Sequence, residues 1–68
     1  MPERRKASVL DFRQNLRDMR MPRGTGDMAD YERGKRLIET WLRDMSDARI
    51  VAPPYEQLVQ LVADWVGV

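Results

Sequence analysis

The chain has 68 residues, 43% hydrophobic and 34% charged, a balance that fits one small globular domain and not a disordered or membrane chain. It contains no cysteine and no histidine, which excludes disulfides, thiolate and imidazole metal sites, and any nucleophile or general base of those types. The net charge of +1 argues against a general nucleic-acid coat, although the charge is unevenly placed.

Residues 1–7 read as a basic flexible arm carrying Arg4-Arg5-Lys6, ahead of a single helical domain over residues 8–68. The start has no apolar stretch of the kind a secretory signal needs, so a cytoplasmic location is expected. The first helix is expected over about residues 8–21. Ser8 followed by Asp11 is a capping-box-like start, and Pro22 is a stop signal. Val9, Phe12, Leu16 and Met19 share one face, and Arg13, Arg17 and Arg20 form a row along its flank.

The segment Pro22-Arg23-Gly24-Thr25-Gly26 is a turn in which two glycines permit positive φ. Gly24 to Ala29 also spells a G-x-G-x-x-A pattern, but a helix precedes it and not the strand a dinucleotide site requires. A narrower use remains open, in which N–H groups at the helix start beside Arg23 hold a phosphate or carboxylate. The second helix is expected over about residues 27–45, with Asp27 as N-cap and Asp30 in its first turn. Tyr31, Leu37, Ile38, Trp41, Leu42 and Met45 form its apolar side. Glu32→Arg36 and Glu39→Arg43 are expected as i,i+4 ion pairs on the other. Gly34 falls on the apolar side, where it costs about 1 kcal/mol against alanine, so a close neighbour is expected there.

Residues 46–54 connect to the third helix, with a short extended segment over Ala48–Ala52 because Pro53 and Pro54 bias their predecessors away from helix. Ile50 or Val51 is expected to point inward. The third helix is expected over about residues 54–66, ending at Gly67. Its apolar residues cover roughly 200° of circumference, more than a helix in a three-helix bundle ordinarily buries. Either this helix is central, or it presents a face to a partner or to a second copy of the chain. The tail from Glu56 to Val68 resembles the first helix and turn of a helix-turn-helix unit. No recognition helix follows it in this sequence, so no DNA-binding role is carried over.

The expected fold is therefore an all-α three-helix bundle. Its expected core is Val9, Phe12, Leu16, Met19, Tyr31, Ile38, Leu42, Met45, Leu58, Val62 and Trp65. The expected function is a small non-enzymatic protein-interaction module (a regulator, adaptor or inhibitor) whose partner is another protein or a second copy of the chain. Trp41, Tyr55, Val59, Leu61, Trp65 and Val66 are the candidate apolar contacts, with the basic row Arg13, Arg17, Arg20 and Arg23 at the rim. The alternative is a nucleic-acid-associated regulator that contacts phosphates through the arginine-rich residues 4–23, seven basic side chains against two acids. No cofactor, metal, membrane or small-molecule substrate is expected.

Overall fold

In the computed structural model, residues 5–68 are described and form an all-α three-helix bundle: α1 (Val9–Asp18), α2 (Met28–Asp47) and α3 (Tyr55–Val66). No helix among the described residues is long and apolar enough to cross a membrane. The start of α1 is as the sequence indicates. Ser8 Oγ accepts from the Asp11 N–H at 3.3 Å, and the Asp11 carboxylate accepts from the Ser8 N–H at 2.7 Å. The Asp27 carboxylate caps α2 by accepting from the Ala29 N–H at 2.8 Å, while Asp30 accepts from Thr25 Oγ1 at 2.8 Å.

The helix ends share one device. At the end of α1, Arg20 adopts φ 55°, its N–H donates to Arg17 O and the Met21 N–H reaches back to Leu16 O, both at 3.0 Å. This is a Schellman closure, with the buried pair Leu16 and Met21 as its hydrophobic contact. Arg49, at φ 58°, repeats it for α2, with Ile50 N–H donating to Met45 O at 2.8 Å. Gly67, at φ 91°, closes α3, with Val68 N–H donating to Ala63 O at 3.0 Å. Because Arg20 turns the chain, α1 stops at Asp18 instead of running to Met21; α2 runs past Met45 to Asp47, up to its own turn at Arg49.

That early stop corrects one core residue. Met19 follows the helical period but is 58% exposed, whereas Met21, carried inward by the turn, is buried. The core comprises Phe12, Leu16, Met21, Ile38, Trp41, Leu58, Val62, Trp65 and Val66, with Tyr31, Leu42 and Met45 packed against it and Val9 half-buried. Phe12 and Trp41 meet as tilted rings with centroids 5.1 Å apart. α3 lies against both other helices, and Leu58, Val62, Trp65 and Val66 are its buried positions. Most of its apolar breadth is thus taken up inside the monomer, with Val59 and Leu61 half-buried beside the core and Tyr55 exposed. The expectation that Trp41, Trp65 and Val66 face a partner is corrected accordingly: the first two are 7% exposed and Val66 is fully enclosed.

Two non-local contacts complete the fold. Residues 1–4 of the expected arm lie outside the described residues. Arg5–Ala7 are held to Val51 by hydrogen bonds from Val51 N–H to Arg5 O and from Ala7 N–H to Val51 O, both 2.8 Å. The extended segment is shorter than expected, since Ala48 has helical backbone angles and Arg49 is left-handed; within it Val51 bridges to Lys6, with Ile50 half-buried and Val51 turned outward. The turn after α1 folds over the end of α3. Gly24 N–H donates to Trp65 O at 2.9 Å, and Gly26 N–H donates to Val66 O at 2.7 Å. These donors satisfy carbonyls that a helix C-terminus leaves without intrahelical partners. Trp65 returns the contact through its indole, Nε1–H to Met21 O at 3.0 Å.

Candidate interaction surface

The four arginines expected to form one basic row do not remain together. Arg23 leaves it, with its guanidinium 4.6 Å from the Trp65 ring centre, a cation–π stack over the end of α3. Arg20 sits in the left-handed turn beyond the helix. Arg13 and Arg17 remain on α1, one turn apart, and with Leu10 and Gln14 they line a half-open groove of about 170 Å³. These four occupy positions i, i+3, i+4 and i+7, one side of the helix away from the Phe12–Leu16 stripe.

Leu10 was not singled out by sequence reasoning. At 69% exposure it is the most exposed large hydrophobic residue among those described. The available signal was its position, about 100° around the helix from Val9 and outside the apolar stripe. Exposed aliphatic residues are ordinary when isolated. This one stands beside arginines that make no ion pair among the described residues.

The electrostatics follow from where the acids of α1 are engaged. The Asp11 carboxylate accepts from Ser8, and the Asp18 carboxylate accepts from Gln14 Nε2 at 2.9 Å. Neither makes an ion pair with Arg13 or Arg17. The ion pair found among the described residues is Lys35–Glu32, at 3.8 Å. The expected Glu32→Arg36 and Glu39→Arg43 pairs are not formed there. Exposed side chains of this length gain little from closing such pairs against their rotamer entropy. Gln14, with its amide nitrogen turned to Asp18, keeps its carbonyl oxygen as an acceptor on the same side of α1.

The other expected contacts are placed as follows. On α3, Tyr55, 42% exposed, and half-buried Val59 are one turn apart, while half-buried Leu61 lies on the other side of the helix, so the three do not make one continuous apolar face. In the turn beside Arg23, four N–H groups that an anion could have used are already engaged. Gly24 and Gly26 donate to α3, the Asp27 N–H lies 3.3 Å from Thr25 Oγ1, and Ala29 donates to Asp27. No group of His, Cys, Asp or Glu among the described residues has the arrangement of a metal site. No family model, curated protein or solved structure matches this chain.

Proposed function

We propose that the chain is a small non-enzymatic interaction module that docks another protein through the outward side of α1, not through α3. The observation that carries this reading is Leu10, exposed one turn before Arg13 on the side of α1 that also holds Arg17, with neither arginine in an ion pair among the described residues. An exposed aliphatic side chain beside two guanidinium groups offers both burial and charge-assisted hydrogen bonds to a partner. The sequence supports the non-enzymatic part, since it lacks histidine and cysteine.

The test is site-specific photo-cross-linking in the cell that makes the protein, with the probe in place of Leu10 or in place of Gln57 on the exposed side of α3. A discrete adduct from position 10 and none from position 57 is expected. An adduct from position 57 alone, or from neither, contradicts the assignment of α1.

A further inference from the structure

Resting on that reading of α1, we infer that the partner presents an acidic amphipathic segment, with two carboxylates about one helical turn apart beside an aliphatic side chain. Arg13 and Arg17 are separated by four residues, which sets their Cβ atoms roughly 5–6 Å apart on the helix surface. Guanidinium groups hold carboxylates through paired N–H donors, and two carboxylates at matching spacing can be engaged together. Leu10 lies one turn before Arg13 and needs an apolar counterpart, while the Gln14 carbonyl accepts from a donor between them.

Nucleic acid fits this surface less well. With Arg23 stacked on Trp65 and Arg20 beyond the helix end, two arginines are left on the groove. At a slope of about −0.9 per neutralised phosphate, two contacts give a slope of about −1.8, small beside proteins that neutralise six to ten phosphates. Leu10 would then lie against a sugar-phosphate backbone with nothing apolar to cover it. A second copy of the chain fits no better. On α2, Glu39, Asp44 and Asp47 are interspersed with Arg36 and Arg43, and on α3 Asp64 already accepts from Gln60 Nε2 at 3.0 Å. The large apolar residues beside those acids, Trp41 and Trp65, are turned into the core.

The experiment is a titration of ¹⁵N-labelled protein followed by amide NMR. The probes are a short helical peptide with a leucine stripe and glutamates one turn apart, the same peptide with glutamine for glutamate, and a short DNA duplex. The acidic peptide is expected to shift the amides of residues 10–17 and to bind roughly tenfold more weakly to Arg13→Gln/Arg17→Gln and to Leu10→Ser. The glutamine peptide is expected to bind roughly tenfold more weakly to the wild type. Thermal melts of each variant confirm that the fold persists. Equal binding of the two peptides, tighter binding of the duplex at the same amides, or no shift at millimolar peptide each overturns the proposal. If residue 10 cross-links to a protein in the cell while the peptide does not bind, α1 remains the docking surface and the acidic partner is wrong. If the peptide binds as expected but residue 10 does not cross-link, the chemistry stands and the cellular role does not.

Discussion

Gly34 in α2 lies so close to Val62 in α3 that a Cβ on residue 34 would fall on Val62 Cγ1, with Cγ2 at 3.3 Å. A side chain as small as alanine's has no room, because β-branched Val62 has little freedom to move aside. Gly34→Ala gains about 1 kcal/mol of helix propensity but meets an overpacking cost of about 1–3 kcal/mol. A net loss of stability is expected in urea or thermal unfolding. In a Val62→Ala background the obstruction is gone, and the same Gly34→Ala change is expected to be neutral or stabilising.

The arginines at the two left-handed turns give a prediction of opposite sign. Arg20 and Arg49 hold positive φ where glycine carries no Cβ penalty. Relief of about 1–2 kcal/mol of backbone strain is partly offset by about 0.4–1 kcal/mol of added unfolded-state entropy. Arg20→Gly and Arg49→Gly are each expected to stabilise by roughly 0.5–1 kcal/mol, read as a rise of several degrees in Tm.

Much of this was legible locally. Ser8 with Asp11, Asp27 and Gly67 announced helix ends through side-chain acceptors or backbone freedom, and each acts where it was expected. Gly34 on an apolar face pointed correctly to a close neighbour. The end of α1 was misplaced because the period continues through Met19, while Arg20, not an obvious left-handed residue, turns Met21 inward. The destination of the Gly24 and Gly26 N–H groups was not legible at all. Their acceptors lie some forty residues away on α3, and nothing in the local sequence specifies that pairing. Of the proposed surface, the placing of Arg13 and Arg17 on one side of α1 follows from their spacing. Leu10 became informative only once the burial of α3 was known.

The contact between Trp65 and Met21 separates two contributions at the end of α3. Trp65→Phe keeps an aromatic ring but leaves the Met21 carbonyl without its indole donor, a loss expected to cost about 1–3 kcal/mol. Arg23→Ala removes only the cation–π stack at the surface, expected to cost about 0.5–1 kcal/mol. Denaturant unfolding of the two variants should therefore rank Trp65→Phe as the more damaging. A larger effect from Arg23→Ala would mean that the stack, not the hydrogen bond, fastens the turn.

The surface of α1 should behave differently from all of these sites. Leu10→Ser and Arg17→Gln alter side chains that are exposed and carry no core contact, so stability is expected to stay within about 0.5 kcal/mol of wild type. Ser8→Ala, only two residues before Leu10, is expected to cost about 1 kcal/mol by removing the cap. Thermal unfolding of the three variants distinguishes a surface kept for binding from one that supports the helix.

α3, although apolar around more than half its circumference, packs against α1 and α2 within one chain and calls for no second copy to cover it. Sedimentation equilibrium over a concentration series into the high micromolar range tests it most directly. A single species of 8.0 kDa is expected throughout. A mass that rises toward twice that value, and falls back when Val59 or Leu61 is made polar in a variant that remains folded, would contradict it.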